Sequence, residues 1–507
     1  MNNHLFDGIS AKAAEPARRF IATADTSVTS YGDMMDETAR FARALVVSGV
    51  RPGDRVAVQV EKSAEMIMLY LACVRAGAVF LPLNTAYTPS EVDYFIGDSE
   101  PRLVVADPAR EAALAPFAAA VGARILTLSD SASGTLMDLV RAQEARFDTM
   151  ACGAEDLAAL LYTSGTTGRS KGAMLTHGNL LSNARVLAQA WRFSEDDVLI
   201  HALPLFHTHG LFVATNVTLA AGAAMILLPK FDPDRIVAAL PQATVLMGVP
   251  TFYVRLLQHA GITRDSTRGM RLFVSGSAPL LAETHARWLD LTGHAILERY
   301  GMTETNMNTS NPYDGERRPG TVGPALPGTS LRIADPDTGL PLPGGEVGMI
   351  EVKGPNVFSG YWRMPEKTKA EFREDGFFIT GDLGMVDQDG YVHIVGRGKD
   401  LIIAGGYNIY PKEVELLIDA VEGVEESAVI GLPHPDLGEG ITAVVVRKPG
   451  AKVEAEDILA LLSTQLARFK HPRQVIFLDE LPRNTMGKVQ KNVLRDLYAN
   501  LYLPPSG

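Results

Sequence analysis

Residues 53–60, GDRVAVQV, set Val56, Val58 and Val60 at alternate positions, the period of a strand. In residues 63–76 the period changes, because Met66, Leu69, Tyr70 and Cys73 recur at helical spacing, and the apolar run AVFLPL follows at once. Strand, helix and strand alternate in this way through the first 330 residues, with Pro-Gly and Gly-Ala turn signals between them. That is the pattern of parallel sheets covered by helices. One uncharged window, residues 210–229, has about the length of a membrane-spanning helix. Thr215, Asn216 and Thr218 dilute it, and Ala220-Ala221-Gly222 marks a helix end, so the window predicts a buried helix, a turn and a short strand.

From about residue 330 the texture changes to Gly- and Pro-rich short strands, TGLPLPGGEVGMIEVKG and DGYVHIVGRGKD, suited to a small barrel-like β unit. Beyond it Pro411 stands at a helix start, and Val414, Leu417, Ile418 and Val421 form one apolar helical face. Strands ESAVIG and ITAVVVRK, a helix over 457–467, a strand QVIFL and a last helix after Lys488 complete a compact α+β region. The reading is an α/β chain. A large N-terminal domain of helix-covered sheets plus the small β-barrel-like unit spans 1–397, and a small α+β C-terminal domain spans 398–507. No long linker separates them at Arg397–Asp400, so the junction is expected to be a hinge.

Composition narrows the classes. Hydrophobic residues at 46% and charged residues at 21% fit a globular chain and exclude wholesale disorder. A net charge of −12 argues against a broad nucleic-acid face but leaves room for local anion sites. Cys73 and Cys152 form no C-x-x-C pair and lie near no His cluster at metal-ligand spacing, which predicts buried, reduced thiols in a cytoplasmic protein. The opening MNNHLFDGIS lacks a basic stretch followed by an apolar core, so no secretory leader and no membrane insertion are expected.

Chemistry is concentrated in LLYTSGTTGRSKGAMLTH, residues 160–177. An apolar strand runs into Thr163, Ser164, Gly165, Thr166, Thr167 and Gly168, with Gly172 and Lys171 beyond. Glycines and small hydroxyls let backbone N–H groups close around phosphate oxygens, and the Lys supplies a point charge. The strict G-x-x-x-x-G-K-[ST] spacing is not met, so a P-loop kinase fits badly. The segment instead resembles the phosphate loop of the adenylate-forming acyl-CoA synthetase superfamily. RYGMTET at 299–305 is similar to the family's Tyr-Gly-x-Thr-Glu motif, FITGDLG at 378–384 to its Thr-Gly-Asp motif, GRGKDLIIAGGYNIYPKEVE at 396–415 to its hinge and following loop, and PRNTMGKVQK at 482–491 to its catalytic-lysine motif.

The resemblance implies ATP, Mg²⁺ and CoA as reaction partners, and a mobile C-terminal domain. It implies that Thr163, Ser164, Thr166, Thr167 and Lys171 cradle the β- and γ-phosphates, that Thr303 and Glu304 handle the α-phosphate, and that Thr166 and Glu304 hold Mg²⁺. Gly276, Ser277 and Ala278 would lie along the adenine with Tyr300 stacked on the base, and Asp382 with Arg397 would hold the ribose. Lys488 would bridge carboxylate and α-phosphate before the domain turns about Lys399. Gly405, Gly406 and Tyr407 would then line the CoA channel, with Lys470 or Arg473 at the CoA phosphates. The P-x-x-x-x-G-K context of Lys488 also resembles a site of lysine acetylation, which implies a lysine acetyltransferase as a partner.

The acyl pocket is expected from His207, counted also among the catalytic residues, with Thr208 and Ser277 on one wall and Met302 and Met307 on another. Most relatives that take simple fatty or aryl acids have a small or neutral residue before the Tyr, whereas this chain has Arg299. A guanidinium in an apolar pocket needs an anion, and a second substrate carboxylate would provide it. The pattern is similar to malonyl-CoA and methylmalonyl-CoA synthetases. Against this stands a pairing of Arg299 with Glu298 or a core carboxylate, which would leave a monocarboxylate synthetase for a short, medium-chain or aryl acid. A non-catalytic ATP-binding sensor is the alternative of another class.

Overall fold

A computed structural model describes residues 2–12, 15–23, 27–163, 170–404, 407–484 and 487–503. The chain divides into two compact units, Met1–Leu331 with Val352–Phe378, and Arg332–Glu351 with Ile379–Gly507. The small Gly- and Pro-rich strands thus group largely with the C-terminal residues, and the turn Gly398–Asp400 falls inside the second unit.

In the first unit the strand Arg55–Gln59, the helix Ala64–Arg75 and the strand Val79–Pro82 fall where the periodicity sets them. Ser63 starts the helix by accepting the Met66 N–H, and the flanking strands pair in parallel with Val56 beside Phe80. They belong to a seven-stranded sheet. One of its faces sends Val79, Leu81, Val104 and Leu160 into a core closed by Phe95, Ile96, Leu114 and Ala118 from covering helices.

An eight-stranded sheet forms the other half of this unit, and its central strands Leu272–Ser275, Val245–Gly248, Val198–His201 and Ala224–Leu227 run parallel. Register sets His201 beside Met247, Gly248 beside Ser275 and Ser275 beside Glu298. The carboxyl ends of these strands therefore finish almost level, along the edge where parallel sheets receive ligands. The uncharged window ends as predicted, with a helix Asn216–Ala221, Gly222 at φ 71° and a strand Ala224–Leu227. Its beginning differs, because His209–Thr215 forms a π-turn. Such turns interrupt the regular ladder and re-aim side chains near sites. No described helix is long and apolar enough to cross a membrane. Cys73 is buried as expected, but Cys152, whose backbone bridges to Asn3, is only half-buried.

In the second unit a four-stranded sheet, in the order Ser330–Ala334, Gly348–Lys353, Phe378–Val386, Val392–Arg397, precedes a C-terminal sheet centred on Val424–His434 and Gly438–Arg447. Period-two alternation gives the latter two apolar faces. Val429, Ala443 and Val445 pack against Val414 and Ile418 of the helix Pro411–Asp419 and Ile458 and Leu462 of the helix Ala455–Gln465. Ile430, Val444 and Val446 pack on the other side against Leu481 and Leu494, the latter from the last helix, Lys491–Leu497.

Candidate active site

Two hairpins of the first unit carry the residues expected at the phosphates. The strand Leu157–Thr163 pairs antiparallel with Lys171–Thr176, so that Thr163 lies directly across from Lys171. The loop between them, with Ser164, Gly165, Thr166, Thr167 and Gly168, lies outside the described residues. The second hairpin joins Leu297–Met302 to Asn306–Ser310 through Thr303, Glu304 and Thr305. Its turn is tight enough that a Cβ at Gly301 would collide with the Asn306 carbonyl, and Asn306 itself sits at φ 50°.

Glu304 is buried, and its Oε1 lies 3.5 Å from the Thr163 hydroxyl and 3.1 Å from the Tyr361 hydroxyl. Burial holds its carboxyl above the ordinary range. The Lys171 ammonium reaches Glu371 Oε1 at 3.1 Å and lies 4.1 Å from the centre of the Tyr361 ring. Thr163, Lys171 and Glu304 thus lie close together. Tyr361 and Glu371 join them unforeseen, from the segment GYWRMPEKTKAEF, which carries none of the motifs singled out in the sequence.

The residues expected at the acyl group lie at and after the level strand ends. Glu298 and Arg299 are consecutive in one strand and so face opposite ways. Glu298 Oε1 accepts the Gly320 N–H at 3.2 Å and stands 3.8 Å from His285 Nδ1. The pairing of Arg299 with Glu298 is therefore not made. Arg299 is 3% exposed, and its Nε and Nη2 have no hydrogen-bond partner among the described residues. Burial pushes its pKa down to about 9, which leaves the guanidinium charged at neutral pH. The side chain packs against Gly276, where any Cβ would collide with it.

His209, whose imidazole feels the Arg299 charge, has an Nε2 without a partner among the described residues, and so do Thr208 Oγ1 and Ser275 Oγ on neighbouring segments. His209 Nδ1 lies 3.3 Å from Ser277 Oγ, and Ser277 has a φ of 71°. Burial, and then the charge of Arg299, push His209 far below the ordinary imidazole range and keep it neutral. His207 is half-buried and accepts the His209 N–H at 3.2 Å, while Thr208 is buried at the start of the π-turn. Tyr300 and Met302 are half-buried on their strand, and Met307 is buried with its methyl over Gly301. Gly276, Ser277 and Ala278 leave the strand Leu272–Ser275 at the same edge. His209 escaped sequence reasoning although HTHG offered two candidate imidazoles.

A fourth unforeseen residue supports this turn. Lys62 donates to His201 Nδ1 at 3.0 Å and to the carbonyls of His201 and Leu203 at 2.7 and 2.8 Å. With Nδ1 accepting, His201 donates from Nε2 to the Gly210 carbonyl of the π-turn at 2.9 Å.

In the second unit Asp382 and Arg397 face each other across paired strands, with Oδ1 and Nε 3.1 Å apart and Asp382 buried. Lys399 is exposed in the turn Gly398–Asp400, whose Asp400 is held by Arg495 at 2.6 Å. Lys488 follows Gly487 at φ 74° and is half-buried, its N–H donating to Asn484 Oδ1 at 3.0 Å. Lys470 is bound to Glu413 at 2.6 Å. Gly405 and Gly406 lie outside the described residues, as does the side chain of Tyr407, whose backbone opens the strand Tyr407–Ile409.

Comparison with known proteins agrees with these motifs. The AMP-binding enzyme family matches residues 10–362, and the AMP-binding enzyme C-terminal domain matches 413–488. The crystal structure of ATP-bound MatB from Rhodopseudomonas palustris is 62% identical with a TM-score of 0.97, covering 99% of this chain and 100% of that one. A feruloyl-CoA synthase of an Amycolatopsis species is 39% identical over 92% of this chain and 93% of its own length. A malonate–CoA ligase of Arabidopsis thaliana is 32% identical over 98% and 91%. The chain belongs to the AMP-binding enzyme family and is an adenylate-forming acyl-CoA ligase.

Proposed function

We infer that the enzyme activates malonate, and accepts methylmalonate, by attack of one carboxylate on the α-phosphate of ATP, followed by transfer of the acyl group from the adenylate to the thiol of CoA. The observation that carries this reading is the buried Arg299 guanidinium, whose Nε and Nη2 have no partner among the described residues. A buried cation of this kind is costly unless an anion meets it, and the far carboxylate of a three-carbon diacid is such an anion. Gly276 leaves room for the guanidinium, and neutral His209 adds a hydrogen-bonding group without competing charge. The likeness to a malonate–CoA ligase supports the same acid.

The remaining roles follow the motifs. Thr163 and Lys171, with Ser164, Thr166 and Thr167, hold the β- and γ-phosphates, and Thr303 meets the α-phosphate. Asp382 offers two oxygens to a vicinal diol, with Arg397 beside it, and Tyr300 stacks on the base. Lys488 offsets the repulsion between the attacking carboxylate and the phosphate, and the segment from 398 to 507 turns about Lys399 between the two half-reactions. Among the described residues no group of three or more His, Cys, Asp or Glu forms a metal cage. The oxygen donors Glu304 and Thr166 fit a Mg²⁺ held mainly by phosphate oxygens, where it would neutralise phosphate charge.

The feruloyl-CoA synthase relative favours a second reading, a bulky aryl monocarboxylate. A screen of CoA-dependent AMP formation with malonate, methylmalonate, succinate, acetate, octanoate, coumarate and ferulate separates them. Malonate should have the highest kcat/KM. A higher value for ferulate or octanoate would overturn the diacid reading, and an absence of acid-dependent pyrophosphate release would leave only the sensor.

A further inference from the structure

The carboxylate of Glu371 stands beside the cation meant for phosphate, and none of the steps above uses it. Glu371 follows the short helix Pro365–Ala370, and the strand Gly360–Tyr361 pairs with the strand that Lys171 opens, Tyr361 lying opposite Ala173. Three groups converge on the carboxylate. Lys171 Nζ and Lys367 Nζ lie 3.1 and 2.8 Å from Oε1, and the Tyr361 hydroxyl donates to Oε2 at 2.6 Å. Burial works against its ionisation, but the bonds from Lys367, Tyr361 and Lys171 outweigh it and hold the carboxyl below the ordinary range.

An ammonium has three donors. Glu371 takes one from Lys171, and the face of the Tyr361 ring takes part of the charge, so a polyphosphate meets a cation already partly neutralised. Such a neighbour weakens ground-state binding of any anion at that cation. The anion whose tight retention would harm turnover is pyrophosphate, because it must leave after the adenylate forms. We propose that Glu371 is a built-in counter-anion of the phosphate site, sharing Lys171 with the polyphosphate and so speeding the release of pyrophosphate.

This proposal rests on Lys171 as a phosphate-binding residue. A purely structural ion pair would behave differently, since its loss would loosen the strand and weaken every ligand. The test is calorimetric titration of inorganic pyrophosphate with Mg²⁺ into the full chain, alongside product inhibition by pyrophosphate. Glu371→Gln keeps the shape and removes the charge, and should tighten pyrophosphate on the order of tenfold, a partly screened unit charge close to the phosphate. The gain should vanish in a Lys171→Met background, where there is no shared cation.

Unchanged or weaker pyrophosphate binding by Glu371→Gln, with Lys171→Met weakening it, overturns the proposal while the role of Lys171 stands. Unchanged binding in Lys171→Met overturns the phosphate role of Lys171 and the proposal with it. Should Glu371→Gln fail to fold, Glu371→Asp draws the carboxylate back by one methylene. It must tighten pyrophosphate by a smaller factor, and unchanged or weaker binding there also overturns the proposal.

Discussion

Replacing Arg299 with Leu tests the acid assignment and its physical basis together. A charged hydrogen bond to the far carboxylate is worth roughly 1.5–3 kcal/mol, so kcat/KM for malonate should fall about ten- to a hundredfold. Leaving that carboxylate against an apolar wall deepens the loss. Monocarboxylates have no charge to strand, so butyrate should hold or rise. The structure adds a second arm, because Nε and Nη2 of this buried group have no partner among the described residues. The depression of its pKa to about 9 bounds the desolvation penalty at about 5 kcal/mol. Relaxation and water reduce that to an effective gain of about 1–2 kcal/mol on removal, a rise of about 1–3 °C in the Tm of the ligand-free enzyme. Steady-state kinetics on both acids and a thermal melt without ligand read the two arms. Were malonate and butyrate to lose the same factor and the Tm to fall, Arg299 would be a scaffold residue and malonate would lose its main support.

Three further outcomes are expected. Lys488→Ala should lose about 10²-fold or more in adenylate formation, while synthetic acyl-adenylate plus CoA bypasses the defect; equal losses in both half-reactions would exclude the assigned role. Burial pushes the Asp419 carboxyl up to about 6, so it contributes stability that is complete below about pH 4 and lost as pH rises through about 6. Asp419→Asn should therefore raise stability at about pH 8, by at most about 3 kcal/mol, and leave it unchanged at about pH 4; a gain of equal size at both would contradict the burial argument. Lys62→Met strands three acceptors around His201 and should destabilise the fold by about 2–4 kcal/mol, measured by denaturant midpoint, and an unchanged midpoint would show that Lys62 bears no structural role.

The fold was legible where a period ran long enough to be read. Val56 to Val60, the helix after Ser63 and the apolar face of Val414 and Ile418 all depend on neighbours in sequence, and local spacing reports such elements well. The separation of Glu298 from Arg299 was left open in the sequence, and it is closed by the strand Leu297–Met302, in which adjacent residues point apart. What local spacing could not show are contacts closed by the tertiary fold. Lys62 meets a carbonyl 141 positions away, and Lys171 meets Glu371 across 200. The π-turn was hidden for another reason, since its apolar residues satisfy helical spacing equally well and only the packing of Gly210 against Pro204 distinguishes it.

Three buried or half-buried cations of the first unit differ in one respect, and that difference sorts their roles. Lys62 has an acceptor within reach of each of its donors, so a ligand would have to break protein bonds to reach it, and although burial pushes its pKa well down, those hydrogen bonds serve the fold. Arg299 is at the other extreme. Its desolvation is offset by no carboxylate partner among the described residues, a state that folding tolerates only when function requires it and a substrate anion relieves it. Lys171 lies between them, with one carboxylate and one aromatic face already engaged. A cation left bare would hold the triphosphate and its pyrophosphate product alike, and one fully paired would hold neither. On the proposed assignments, a partial counter-charge suits a site that must bind one anion and release another within a single turnover, whereas the far carboxylate of a diacid has to stay bound until the thioester forms.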